Sequence, residues 1–198
     1  DLAASGGLEL DVVAYILKED YEKTVKEYAD YNGKYKNRVK IGGVKVILDG
    51  SPQGKSAWLS KPYEGEENYC GYPTHNDAYV TKAAKDAVRG GYHILAHCNG
   101  DAASEQFIQS YQVALKEMGT ADGDYRPVMI HCQTVRDDQL DRMVQLKMIP
   151  SIFIGHTYYW GDIHLKNLGA VRGARISPVK SALERGLIRS EERRVGKE

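Results

Sequence analysis

IGGVKVILDGS (residues 41–51), YHILAHCNGDAA (92–103) and RPVMIHCQTV (126–135) decide the reading of this chain. Each is an apolar, β-rich run of strand length that closes on a polar or glycine-bearing turn, and a helix-like stretch follows each. Lys45, His97 and His131 stand at or near the ends of these runs. A β/α barrel assembles a metal site in this way, collecting side chains from the C-terminal ends of successive strands.

The flanking sequence repeats the alternation. LELDVVAYIL (8–17) is a β-rich run, and YEKTVKEYADYNGKY (21–35) reads as a polar, tyrosine-marked helix ending near Gly33. Asp49-Gly50 stops the next strand, and residues 51–77 form a long loop rich in Gly, Pro, Tyr and Asn. Loops of that length inside compact domains are often functional. Helices are expected over 76–89, 102–118 and 134–148, with a strand at IPSIFIG (149–155) and a last helix in PVKSALERGLI (178–188). HTYYWGDIHLKNLG (156–169) and a short GARISP segment (173–178) make up the remainder and are assigned no element. Strand–helix alternation argues for an α/β fold with a parallel sheet. A closed eight-stranded barrel needs about 250 residues, so 198 residues fit a partial TIM-type (β/α) barrel or a smaller doubly wound sheet.

Charge is balanced, with 27 basic and 27 acidic residues and no block of like charge in the body of the chain. That gives no support for a nucleic-acid partner or a membrane surface. No apolar run approaches the roughly 18 residues of a membrane span. The opening DLAASGGLELDVVAYI has neither an initiator Met nor a basic leader, and it reads as the middle of a domain. Cys70, Cys98 and Cys132 form no even disulfide set and no CxxC motif, so a reducing, cytoplasmic setting is expected. Residues 190–198, the body of the RSEERRVGKE ending, have no apolar face and are read as a non-native tail, leaving 1–189 as the domain.

Strand alternation separates the chemistry from the packing. If His97 and His131 face a site, Cys98 and Cys132 face the helices and act as small core residues. A single strand-end histidine is more often structural than a ligand. The second one, 34 residues later, falls about one β/α unit on and shifts that balance. Asp101 either caps the helix it opens or holds the loop in shape. Lys45 lies mid-strand among apolar residues, where an ammonium is costly. Carboxylation to a metal-bridging carbamate, an ion pair with Asp49 or another carboxylate, and snorkelling to solvent all remain open for it. His156, Trp160, Asp162 and His164 could line a pocket mouth, or the aromatic groups could simply pack. Arg172 and Arg175 could hold a substrate anion or a neighbouring carboxylate. His93 sits near the start of its strand and reads as structural.

The stretches GGVKVILDGSPQGKSAWLSKPY, HCNGDAA, RPVMIHCQT, IPSIFIGHTYYWGD and RGARISPVKSALERG, in this order, resemble the amidohydrolase superfamily. The nearest branch is the YtcJ-like amidohydrolase 3 group, which includes N-substituted formamide deformylases. The resemblance implies roughly strands three to seven of a metal-dependent hydrolase barrel. It implies one or two divalent ions, zinc by expectation, and a small-molecule amide or N-formyl substrate cleaved at a non-peptide carbon–nitrogen bond by metal-activated hydroxide. Lys45 matches the family's usually carboxylated bridging lysine, and His97 and His131 match ligand histidines. His156 matches a substrate-facing histidine; Trp160, Asp162 and Arg175 are the further substrate contacts expected, with Asp101 structural beside them. No His-x-His pair and no late catalytic aspartate occur in the chain. The expectation is therefore a fragment that alone binds metal weakly and turns over little. The full-length form could be a homo-oligomer. A non-catalytic remnant that binds a ligand or partner through residues 158–160 and the long loop is the competing reading.

Overall fold

The computed structural model describes residues 2–120, 123–188 and 190–191. Its elements are β1 (Val12–Leu17), α1 (Tyr21–Glu27), a 3-10 turn (Ala29–Tyr31), β2 (Val39–Ile47), α2 (Asp77–Gly90) and β3 (His93–Cys98). There follow α3 (Asp101–Glu117), β4 (Val128–His131), α4 (Asp137–Gln145), β5 (Ile149–Ile152), α5 (Gly155–Gly173), α6 (Val179–Glu184) and β6 (Ser190–Glu191). The six strands form one sheet in the order β1-β2-β3-β4-β5-β6, and every pair is parallel. A doubly wound sheet reverses its strand order at a switch point. This sheet keeps sequence order throughout, which is the arrangement of a (β/α) barrel wall, and the chain is a partial barrel.

The two faces of the sheet differ in chemistry because side chains alternate along each strand. One face presents Val44, Val46, Ile94, Ala96, Cys98 and Met129, all buried. These pack in one core with Val80, Ala84 and Ala87 of α2, Phe107, Ile108 and Tyr111 of α3, and Leu140 and Met143 of α4. Each fully buried Leu, Ile or Phe in that layer contributes about 1.5–3 kcal/mol of burial free energy. The opposite face is more open and is built in rows. Leu17, Lys45, Leu95, Val128 and Ile149 stand in register as one row. Ile47, His97, Ile130 and Ser151 form the next, nearer the C-terminal ends of the strands.

Local sequence sets the boundaries. The Asn76 side chain caps α2 by accepting from Tyr79 N at 2.9 Å, and Gly91 ends it in the left-handed conformation at φ 63°. The register of β1 on β2 slips between Ala14 and Tyr15. It does so beside Gly43, where a Cβ would stand 2.0 Å from the His93 carbonyl oxygen, so no other residue fits. The expected first helix is shorter than its polar stretch suggests, giving way to the 3-10 turn before Gly33. Residues 156–169, assigned no element from sequence, belong to α5. The reason is visible in the backbone: helical geometry breaks at Trp160 and Gly169, so no single apolar stripe runs through it. Ser190 and Glu191, assigned above to the tail, pair with β5 through their backbone, and residues 192–198 lie outside the described set. Among the described residues no helix is long and apolar enough to cross a membrane.

Candidate metal and substrate site

Lys45, His97 and His131 share the open face of the sheet at its C-terminal rim, but they arrive there differently. His97 follows strand alternation, in register with Ile47 and Ile130. His131 does not. Its Cα pairs with that of Cys98, whose side chain points into the helix layer and is wholly buried. Regular alternation would send His131 the same way. Instead its backbone turns left-handed, φ 77°, followed by Cys132 at φ 50°, a region that non-glycine residues seldom occupy. The turn brings Nε2 of His131 to 3.1 Å from Nδ1 of His97, the rings meeting edge-on.

The back of His97 is equally fixed. Its Nε2 stands 3.1 Å from the Gly50 carbonyl and 2.9 Å from Asn99 Nδ2. Asn99 Nδ2 also donates to the Gly50 carbonyl, and its Oδ1 accepts from Gln133 Nε2 at 2.6 Å. A ring N–H given to Gly50 leaves the Nδ1 lone pair aimed at His131, which is how an outer partner sets a ligand's tautomer. Asn99 and Gln133 were not singled out from sequence, although a signal exists. Each follows its histidine by two positions, as His-Cys-Asn and His-Cys-Gln, and both are buried.

Asp49 is the other residue that sequence reading undervalued. It ends the β2 run as expected, yet its carboxylate does not act only as a turn. Oδ1 accepts from Asn99 N at 2.9 Å, and Oδ2 from Gly100 N at 2.7 Å and Trp58 N at 3.0 Å. It lies 3.6 Å from His97 Nε2. Burial pushes its pKa up to about 7, against the opposing pull of those three N–H donors. Asp101 performs the second of its two expected roles. It does not cap α3; it accepts from Ser60 N at 2.9 Å, from Ser60 Oγ, and from Arg136 Nη1 at 3.1 Å. The two aspartates thereby hang the long loop on the turn after β3. Gly100 is required there, since a Cβ would stand 1.8 Å from the Trp58 carbonyl oxygen.

The remaining candidates divide. His156 is buried, its ring 5.7 Å from that of His131 and 5.7 Å from that of Trp160. His164 lies behind it, fully buried, with Nε2 3.4 Å from Gln53 Oε1, and burial lowers its pKa. Asp162 is exposed on α5, outside this cluster. Arg175 donates to the Val135 carbonyl at 2.8 Å and to Asp137 at 2.6 Å, so of its two readings the neighbouring carboxylate is the one it meets. Lys45 is half-buried one row below His97. Cys98 and Cys132 are buried and burial raises both thiols, which suits core packing and not a thiolate ligand.

The donor set bears on a metal. Two nitrogens bound at about 2.0–2.1 Å around a tetrahedral ion sit roughly 3.3 Å apart, and the His97–His131 pair is within a few tenths of that at 3.1 Å. That separation is a hydrogen bond between the rings and also matches the spacing of two ligands on one cation. Among the described residues no three His, Cys, Asp or Glu groups converge on one point, so further ligands are not supplied by those residue types.

This chain belongs to the amidohydrolase family, whose sequence model matches residues 1–190. It is similar to the LONG AFTER FAR-RED 3 protein of Arabidopsis thaliana, 25% identical over 74% of this chain and 25% of that one. It is also similar to the provisionally named amidohydrolase YtcJ of Bacillus subtilis (strain 168), 22% identical over 76% of this chain and 27% of the other. The chain thus spans about a quarter of the length of these curated relatives. Two solved structures share the fold. An uncharacterized metal-dependent hydrolase from Pyrococcus furiosus aligns with TM-score 0.80 and 25% identity over 99% of this chain and 40% of its own. Its counterpart from Pyrococcus horikoshii OT3 aligns with TM-score 0.78 and 25% identity over 99% and 38%.

Proposed function

We propose that this chain forms the wall of a metal-dependent hydrolase that carries His97 and His131 as ligands of one divalent cation, zinc by preference. The reaction is hydrolysis of a non-peptide carbon–nitrogen bond in a small amide or N-formyl compound. The observation that carries the reading is the 3.1 Å approach of His97 Nδ1 to His131 Nε2, reached at the cost of a left-handed backbone. Strain of that kind persists where surrounding structure over-determines it, as at functional sites. Family membership and the metal-dependent neighbours support the same class.

When bound, such a cation lowers the pKa of water from about 15.7 to roughly 7 and so supplies a nucleophile at neutral pH. The chain's own residues do the positioning. The Gly50 carbonyl, itself fixed by the Asn99 side-chain amide, accepts from Nε2–H and holds the His97 ring so that Nδ1 faces the site. Lys45 lies one row below His97 on the same face, and as the amine or as its carbamate it is the further ligand in this reading. His156 and Trp160 wall the side nearest His131 and suit contact with substrate.

Cobalt(II) titration of the full chain tests the reading. A saturable visible absorption band is expected, lost in both His97→Ala and His131→Ala. A chain that gives no band, or one unchanged by either substitution, would sink the assignment. Turnover of an N-substituted formamide, removed by chelator and restored by zinc, tests the substrate class separately.

A further inference from the structure

A cavity of about 170 Å³ lies between the long loop, α5 and the starts of α3 and α4. Leu59, Lys61, Leu168 and Arg172 line it, together with Asp101 and Arg136. We infer that it binds a small carboxylate carrying a short apolar chain.

The charges decide the sign of the ligand. The Asp101 carboxylate is already met by Ser60 N, Ser60 Oγ and Arg136. Arg136 is in turn paired with Asp101, Glu105 and Asp138, and Arg175 with Asp137. Lys61 and Arg172 differ: among the described residues neither has a carboxylate partner. Carbonyl oxygens hold the Arg172 guanidinium, with Nε donating to Leu168 at 2.8 Å, Nη1 to Lys61 at 3.2 Å and Nη2 to Pro62 at 2.8 Å. Those bonds orient the group and leave its charge unneutralised. A guanidinium has five N–H donors, so one remains on each terminal nitrogen, and its planar fork suits a carboxylate.

Size and lining set the rest of the ligand. A cavity of about 150 Å³ lined by apolar side chains holds benzene, so this one holds a few carbons beside the carboxylate. Leu59 and Leu168 supply the apolar wall and belong to one buried cluster with Tyr63 and Ile176. The cavity also touches the site behind it. Thr134, which lines it, donates to the Asn99 carbonyl at 2.9 Å, and the Asn99 side chain rests on His97. The carboxylate could belong to the substrate itself or to a separate ligand. The inference stands on the cavity alone and survives a failure of the hydrolase reading.

The test is an amide-resolved NMR titration of the full chain with sodium butyrate and, in parallel, with neutral butyramide. Butyrate is expected to shift the amides of residues 59–61 and 172 saturably, and butyramide to leave them in place. Lys61→Gln and Arg172→Gln should each weaken butyrate at least tenfold. Equal shifts from butyramide, or dissociation constants within twofold of the parent in the Lys61→Gln chain, overturn the inference. Lys61→Gln decides alone if Arg172→Gln fails to fold, because Lys61 is exposed and its side chain forms no ion pair among the described residues. N-formyl-γ-aminobutyrate then separates the two sources. Shifts reaching residues 97–99 and 131–133 as well as the cavity assign the carboxylate to a substrate, and shifts confined to the cavity assign it to a second ligand.

Discussion

Nδ1 of His97 and Nε2 of His131 face each other across 3.1 Å, although strand register places His131 beside Cys98, on the helix-packed side of the sheet. The left-handed backbone at His131 reconciles the two facts. The approach of the two rings at this rim depends on that one turn.

The turn can be tested by substitution. His131→Asn keeps a residue that tolerates φ above zero, whereas His131→Val puts a β-branched side chain there. The valine variant should unfold in urea about 1–3 kcal/mol less stable than the asparagine variant. Both should lose cobalt binding by more than the roughly 10–100-fold that loss of an outer partner costs. Equal urea midpoints for the two variants would show that the backbone imposes no such demand.

Gly100 is held by contact and not by dihedral freedom. A methyl group there meets the Trp58 carbonyl oxygen at 1.8 Å. Gly100→Ala should cost at least the ~1–3 kcal/mol typical of overpacking and loosen the loop from the turn after β3. Protease sensitivity of residues 51–77 is the second readout, and a variant as resistant as the parent contradicts the contact.

Asp49→Asn keeps the shape and removes an acceptor. An amide nitrogen in place of one oxygen cannot accept from Asn99, Gly100 or Trp58, and at least one buried N–H loses its partner. The expected loss is about 1–3 kcal/mol per orphaned donor, measured by urea denaturation, with a weaker cobalt band because Asn99 also orients His97. An unchanged midpoint would mean that the loop finds other anchors.

The acid limb of stability should depend on Glu105. Burial raises its pKa, but hydrogen bonds from Gln139, Arg142 and Gln109 and the charge of Arg142 outweigh this and bring it down to about 2, from an ordinary 4.5. A folded pKa below the unfolded one means that the ionised group stabilises the fold above about pH 4.5. That contribution is lost as pH falls towards 2. Glu105→Gln should be less stable than the parent at pH 7, with the difference shrinking between those limits. A difference independent of pH would assign the effect to packing.

Much of this architecture could be read from sequence because period-two patterning and strand–helix alternation are local signals. Lys45 and His97 were singled out at or near the ends of IGGVKVILDGS and YHILAHCNGDAA, and the strand register puts them on one face. His131 was found by residue type and spacing, but nothing in MIHC announces a positive φ. Alternation alone would have aimed the ring into the core. The orienting amides of Asn99 and Gln133 were legible in the repeated His-Cys-amide triplet and were overlooked, because each amide looks like ordinary turn chemistry alone. Residues 156–169 concealed their helix, since breaks at Trp160 and Gly169 scramble the helical period that sequence reading relies on. The two-way reading of Arg175 could not be decided without its distance to Asp137, a contact across 38 positions.

Asp49 and Asp101 make most of the rim mechanically one piece. Three backbone N–H groups hang on the first carboxylate, and Ser60 and Arg136 on the second. The far half of α5 joins the same body, since Asn167 donates to the Pro52 carbonyl and Arg172 to Lys61 and Pro62. The near half differs: Thr157, Tyr158 and Tyr159 are exposed, and helical geometry breaks just after them at Trp160. The break at Trp160 thus separates an exposed near half of α5 from a far half tied to the long loop. Backbone amide exchange should report that asymmetry, fast over residues 155–160 and slow at Trp58, Asn99 and Gly100.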